Sequence, residues 1–587
     1  MKLGETQYVA IEPGDSIASV FARRVALTPG AFAYREYDAS IQSWRFRKWT
    51  EVARVVGRVR AAFAAEGLVA GDRVAVMLRN GCEWVAWDQA AHALGLVVVP
   101  LYVEDRPENF AYILNDAGVR ALLVEGEEHV KRLREVEAQL SGLQRIVTVK
   151  RVADASGFGE RVRALEDWLG AEPTDVPPKV DGQALATIVY TSGTTGKPKG
   201  VMLSHQNMLQ NVKSALGAYD VYTQDVFLSF LPLSHMFERT VGYYLTLVAG
   251  TQVAFARSVA QLADDFRAVK PTVIVSVPRI FERLHAGVHA SLDGAPPLKR
   301  RLFDLTHRTG WDLFEWRQGR GPWRSGFLLW PVLKKLVADR LLDRLGGRLR
   351  LCISGGAALN PNIAHTFLGL GLPICQGYGL TEAAPVVSGN RLEKNDPTSI
   401  GIALPGVELA FDEKGVLLVK GPNVMMGYWK NPEATEKVLS ATGWLNTGDQ
   451  ARMENGFVYI TGRIKEIIVL GNGEKVPPVD MELAIQLDPL FEQVMVIGEG
   501  KPYLGALVVL DAAHAKGVAP DEKALAARIA PLLKGFPGYA QVRRVAIAPE
   551  KWTVDNGLLT PTLKLKRAQI LERHAALVDE IYKGHAK

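Results

Sequence analysis

The chain has 587 residues, too many for one hydrophobic core, because cores stop growing near ~250–300 residues; at least two domains are expected. It is 48% hydrophobic and 22% charged, which excludes a disordered or fibrous chain and fits a soluble globular one. A net charge of +6 is too mild at this length to indicate nucleic-acid binding; it suits a solubility balance, polyanionic small molecules or an anionic membrane surface.

The first 16 residues hold no apolar core of signal-peptide length, so the expected location is the cytoplasm. Apolar residues at helical spacing predict a helix over 49–66, with Thr50 as N-cap and Gly67 as stop. A buried strand is expected over 72–77. The longest apolar region, 84–103, is broken by Asp88 and His92 and so does not read as a bilayer span. It reads as a helix over 83–94 running into a strand over 95–103. A helix over 108–117 and a strand over 121–124 follow. After a loop near 173–181 the alternation restarts: strand 185–190, helix 204–216, strand 226–231, helix 239–248, and strands 252–255, 272–277 and 350–353. Such alternation implies parallel sheets covered by helices.

Between 401 and 461 the texture changes to short β runs punctuated by glycine, at 407–411, 416–420 and 457–461. The expected fold is therefore α/β. A large N-terminal domain, 1–464, holds two α/β sheets and a β-rich subdomain, and a small α+β C-terminal domain spans 465–587. Cys82, Cys352 and Cys375 are odd in number and without paired spacing, so reduced thiols are expected rather than disulfides or a zinc site.

The most informative segment is YTSGTTGKPKG at 190–200. It follows an apolar strand. Thr191, Ser192, Thr194 and Thr195 supply hydroxyls, Gly193 and Gly196 admit close backbone approach, and Lys197 and Lys199 add positive charge. Those are the needs of a bound triphosphate. Two residues, not four, separate the glycines, so this is no Walker A loop. The segment resembles the phosphate-loop signature of the adenylate-forming superfamily, which includes acyl-CoA synthetases, peptide-synthetase adenylation domains and luciferases.

The resemblance continues in order along nearly the whole chain. Ser354-Gly355-Gly356-Ala357 follows a strand, where open α/β sheets bind ligands, and resembles the family's adenine pocket. In QGYGLTE at 376–382, Gln376, Gly377, Tyr378 and Gly379 are implied nucleotide contacts; Tyr378 offers a ring to stack on adenine. Thr381 offers a hydroxyl to phosphate, and Glu382 a hard carboxylate oxygen for Mg2+. Asp449 in GWLNTGD resembles the ribose ligand, and Arg463 a second ribose or phosphate contact. Lys465 occupies the family's hinge position, which makes the small domain mobile by implication. In LTPTLKLKR, at 559–567, Lys564 is implied to be the catalytic lysine, grouped with Thr195, Glu382 and His235; Lys566 is the alternative if the register shifts. Many family members carry glycine just before this lysine, whereas this chain has Leu563.

FLPLSHMFERT at 230–240 resembles the border of the acid pocket, with His235 beside the reacting carboxylate or simply held at a strand–helix junction. Gly242, Tyr243 and Tyr244 are candidates for an acyl channel or for plain core. The Phe-Glu-Arg after His235 and the PT-x-K-x-KR ending resemble long-chain fatty acid–CoA ligases. The implied reaction joins a long-chain fatty acid to coenzyme A through an acyl-AMP, consuming ATP with Mg2+ and releasing AMP and pyrophosphate. The rivals are an acyl-AMP ligase loading a carrier protein, a synthetase of other chain length, a luciferase-like oxygenase, and a lipid binder without activity. Gly471 and Gly473 mark either a path for the pantetheine arm or a turn. An insert over 298–350 mixes Trp311, Trp316, Trp323 and Trp330 with many cations, which suits peripheral contact with the inner membrane face or an ordinary amphipathic subdomain.

Overall fold

Two apolar-strand families line up into two large sheets. The computed structural model describes residues 5–172, 177–191, 197–463, 466–515 and 521–583. Among these, one sheet of eight strands takes the order Gly427–Tyr428, Lys199–Ser204, Leu185–Thr191, Val97–Pro100, Arg73–Met77, Val119–Val124, Arg145–Thr148, Val162–Ala164. Its middle is parallel, for example Val74 beside Val98 and Ala121, as expected for strands buried on both faces. The second sheet has nine strands. Its parallel run is Val226–Ser229, Val273–Ser276, Leu351–Ser354 and Ile374–Gly379, and Val386–Gly389 folds back antiparallel at one edge.

Most predicted elements fall within a few residues of those formed: helix Trp49–Ala65, helix Cys82–Ala93, strand Gln252–Phe255 and strand Val416–Lys420. The cap of the first is a correction. Lys48, not Thr50, is the N-cap, because the carboxylate of Glu51 at the third helical position accepts the Lys48 N–H at 2.7 Å. A second correction concerns the helix predicted over 239–248. It begins as a wider π-turn over Glu238–Tyr244 and tightens to an α-helix only over Leu245–Ala249. Hydrophobic spacing over ten residues does not separate those windings, and single π-turns concentrate at functional sites.

The β-rich subdomain is a four-stranded antiparallel sheet: Glu408–Phe411, Val416–Lys420, Leu445–Glu454 and Phe457–Arg463. The small domain builds its own core on Phe491–Ile497, Leu504–Leu510 and Val542–Ile547, with Met481, Ile485, Leu525 and Ile529 packed from two helices. Gly471 and Gly473 lie in the turn joining Ile468–Val469 to Lys475–Val476. The three cysteines are free thiols, and burial pushes those of Cys352 and Cys375 up. Among the described residues no helix is long and apolar enough to cross a membrane.

Candidate active site

Strand Ile374–Gly379 ends at the edge of the nine-stranded sheet and delivers Tyr378 toward the four-stranded one. The Tyr378 hydroxyl donates to Asp449 Oδ2 at 2.5 Å. Arg463 lies directly across the β pairing from Asp449 and donates from Nε to Oδ1 at 2.6 Å. Burial and the Asp449 carboxylate together hold the Tyr378 phenol protonated, well above its usual range. The Asp449 carboxylate is 6% exposed, while the Arg463 side chain keeps 43%. Glu466 follows within 3.5 Å of Arg463 Nη1.

Glu382 sits on the short turn Thr381–Ala383, just after that strand. Its Oε1 accepts the Tyr428 hydroxyl at 2.9 Å, and the Lys199 ammonium stands 5.1 Å over the Tyr428 ring. Thr191 and Lys199 are opposite each other across the hairpin that flanks the phosphate-loop sequence. Ser192, Gly193, Thr194 and Thr195 lie outside the described residues, as does Lys465. Sequence reasoning missed Tyr428. Its only signal was an aromatic after glycine in MMGYW, and nothing in spacing ties it to Glu382, 46 residues away.

Lys564 comes from the far end of the chain. Its loop is closed by Thr560, whose N–H donates to the Lys564 carbonyl at 2.9 Å and whose hydroxyl accepts the Lys564 N–H at 3.0 Å. Leu559 bridges Leu565 across it. Leu563, at the turn, has φ 61°, in the left-handed region that costs a non-glycine residue roughly 1–2 kcal/mol. That accounts for the glycine common at this place in the resembling family. The Lys564 side chain is open to solvent by surface area but stands in a cleft. Burial there lowers its pKa; the Arg463 cation lowers it further, while Glu466, Asp449 and Glu382 oppose the shift. The same ammonium acts on His235, which burial and this charge push down to about 4. His235 is therefore a neutral imidazole at pH 7, its Nδ1 accepting the Phe237 N–H at 3.2 Å. Lys566 faces elsewhere, toward Arg106 and Asp105.

Gly355 packs at the end of its strand against Phe237. A Cβ there would stand 2.9 Å from the Phe237 ring, so glycine lets the strand end lie on the ring. Gly356 and Ala357 follow it at the surface. Gly377 and Gly379 lie against the returning strand, where a Cβ on Gly379 would meet the Pro385 carbonyl at 2.1 Å. Gln376 spends its side chain on the backbone: Oε1 accepts from Leu359 N–H at 2.6 Å, and Nε2 donates to the Ser399 carbonyl at 2.8 Å.

Tyr243 and Tyr244 do not open toward a channel. Their hydroxyls donate to Asp88 at 3.1 and 3.0 Å inside a closed polar cluster with Arg239, His92 and Thr187. Gly242 instead makes room for the Glu238 carboxylate, which burial pushes up to about 8.

The arrangement matches known proteins along its length. Residues 21–429 match the family described as AMP-binding enzyme, and residues 465–586 match the AMP-binding enzyme C-terminal domain. A long-chain-fatty-acid–CoA ligase, FadD15, of Mycobacterium bovis is 32% identical over 91% of this chain and 92% of its own. A chloroplastic long-chain-fatty-acid–[acyl-carrier-protein] ligase of Arabidopsis thaliana, AEE15, is 29% identical over 88% and 80%. The solved anthranilate CoA ligase AuaEII, in complex with anthranoyl-AMP, shares the fold with a TM-score of 0.75 at 20% identity, covering 97% of this chain and 99% of that one. A large N-terminal domain closed by a small C-terminal one, with both family matches in order, makes this chain a member of the AMP-binding enzymes.

Proposed function

We propose that this enzyme activates a long-chain fatty acid with ATP as an acyl-adenylate and transfers the acyl group to coenzyme A. The observation that carries the reading is one convergence. Lys564, from the small domain, stands within electrostatic reach of Glu382, Asp449, Arg463 and His235, all from the large one.

A carboxylate attacking the α-phosphate brings two anions together, and an ammonium between them stabilises the charge of the in-line transition state. Lys564 supplies that cation. Asp449 and Arg463 form the edge on which a ribose is held, Tyr378 supplies the flat ring beside it, and Gly355 to Ala357 leave the depth for a base. Neutral His235 borders the acid without adding charge. Glu382 and the Thr381 hydroxyl fit Mg2+, which takes one or two carboxylates with phosphate and water oxygens. When bound, that ion would neutralise phosphate charge. Thr195, Ser192, Gly193 and Thr194 are assigned to the triphosphate and Lys465 to the hinge between 1–464 and 465–587, on family resemblance. Rotation there would withdraw Lys564 and admit the thiol, whose attack on the acyl carbonyl expels AMP.

The insert supports contact with an anionic bilayer. Leu328, Leu329, Val332 and Leu336 are 74, 56, 57 and 45% exposed and follow helical spacing. Arg324, Lys334 and Lys335 flank them. Apolar stripe and basic rim together are what an interfacial segment needs. Trp330 and Trp311 turn inward instead. Cosedimentation with phosphatidylserine vesicles at low salt, lost in a Leu328→Glu/Leu329→Glu variant, is the expected result; no pelleting of the wild type refutes it.

The test of function is pyrophosphate release with Mg-ATP and straight-chain acids from acetate to docosanoate, with and without coenzyme A. Stoichiometric AMP and acyl-CoA, peaking at laurate or longer, is expected. The Arabidopsis carrier-protein ligase makes the acceptor the point at issue: adenylate that ignores coenzyme A but loads a carrier protein would overturn that half of the reading.

A further inference from the structure

Away from the cleft, helix Pro278–Asp293 carries His285 and His289 one turn apart. Residues four apart share a helix face. Here their Nε2 atoms converge to 3.1 Å, with ring centroids 4.3 Å apart. Two neutral imidazoles at that distance make one hydrogen bond, and only if their tautomers are opposite. The same separation is also that of two nitrogens bound side by side to one metal ion: bonds of ~2.0–2.1 Å give an angle of about 100° between them. His289 is exposed and His285 half-buried, so the pair has an open side.

We propose that His285 and His289 form a site for a divalent transition-metal ion of the imidazole-preferring class, with copper(II) bound more tightly than nickel(II) or zinc(II). The ligand type sets the class, and the order is the general first-row affinity series for divalent ions at a given site. His307 lies with Nε2 3.2 Å from the His365 carbonyl, to which it donates, so that nitrogen is not a third ligand. Among the described residues no group of three or more metal-capable side chains gathers. Water therefore completes the coordination shell, and the ion is exchangeable rather than structural. Magnesium does not compete, because a hard cation seeks oxygen.

The experiment titrates tag-free, full-length protein with copper(II) at neutral pH in excess Mg2+, by calorimetry and by electron paramagnetic resonance. One ion per chain with coupling to two nitrogens is expected. His289→Ala, which changes an exposed side chain and leaves the core intact, is expected to bind at least tenfold more weakly and to show one nitrogen. His514→Ala, at another exposed histidine, beside Asp511, leaves the two-nitrogen signal unchanged. Equal binding by wild type and His289→Ala, or loss of the signal in His514→Ala, overturns the assignment.

Discussion

Two carboxylate–guanidinium pairs in the large domain have the same chemistry and opposite surroundings. Asp88 and Arg239 are both fully inaccessible. The Asp88 oxygens accept from Tyr243 and Tyr244, and Arg239 donates to Thr187 Oγ1 at 2.9 Å and to the Tyr244 hydroxyl at 2.8 Å. Burial alone would push Asp88 up, but Arg239 and His92 hold it well below the usual carboxylate range. Asp449 and Arg463 have one side open: Tyr378 covers Oδ2, and the guanidinium still meets solvent. A pair whose partners are all protein clamps helix Cys82–Ala93 to the turn after His235. A pair with an open edge has capacity left for a ligand.

The largest expected effect comes from breaking the closed pair. Asp88→Ala leaves Arg239 charged and buried, which costs about 3–5 kcal/mol. Asp449→Ala leaves the Tyr378 hydroxyl without its acceptor, a cost of about 1–3 kcal/mol, smaller than that of the closed pair because Arg463 can turn to water, yet should abolish adenylate formation. Urea unfolding beside pyrophosphate release measures both, and equal destabilisation would end the contrast. The pH dependence has a definite sign. The folded Asp88 carboxyl lies below its unfolded value, so its contribution is complete above ~3.9 and lost as pH falls through the folded pKa. Asp88→Ala should therefore flatten the acid limb of the stability curve.

Next in size is Lys564→Ala. Removing the ammonium assigned to the α-phosphate should slow acyl-AMP formation by about 10²–10³-fold. Thioester formation from supplied acyl-AMP should be spared, since the thiol step needs no cation at the α-phosphate. Equal loss in both half-reactions would show that Lys564 only supports the fold of its loop.

Asp449 and Arg463 stood out in the sequence as separate nucleotide contacts implied by their motifs, but their pairing did not, and the closed pair did not stand out at all. Asp449, Arg463, Glu382 and Lys564 sit in ordered glycine-rich or basic motifs, where chemistry is written locally. Asp88 and His92 registered only as interruptions of an apolar helix; Arg239, the partner of Asp88, is 151 residues away from it, and pairing over that distance is a property of the folded sheets. Tyr428 escaped for the same reason. The strand order of the two large sheets was likewise beyond reach, because alternating strand and helix patterns fix the layers but not which strands become neighbours.

The smallest effect tests the backbone rather than a charge. Leu563 holds φ 61° with its side chain 54% exposed, so the residue contributes strain and little burial. Leu563→Gly removes roughly 1–2 kcal/mol of strain and returns about 0.5–1 kcal/mol through the freer unfolded chain. A net gain between zero and ~1.5 kcal/mol is expected, read as a higher Tm of the full-length protein. Leu563→Ala keeps a Cβ at the same φ and should gain nothing. If alanine stabilises as much as glycine, the exposed leucyl side chain was the liability and the turn is relaxed. If only glycine does, this chain carries Lys564 on a strained turn that relatives with glycine avoid, and the difference between the two variants measures that strain.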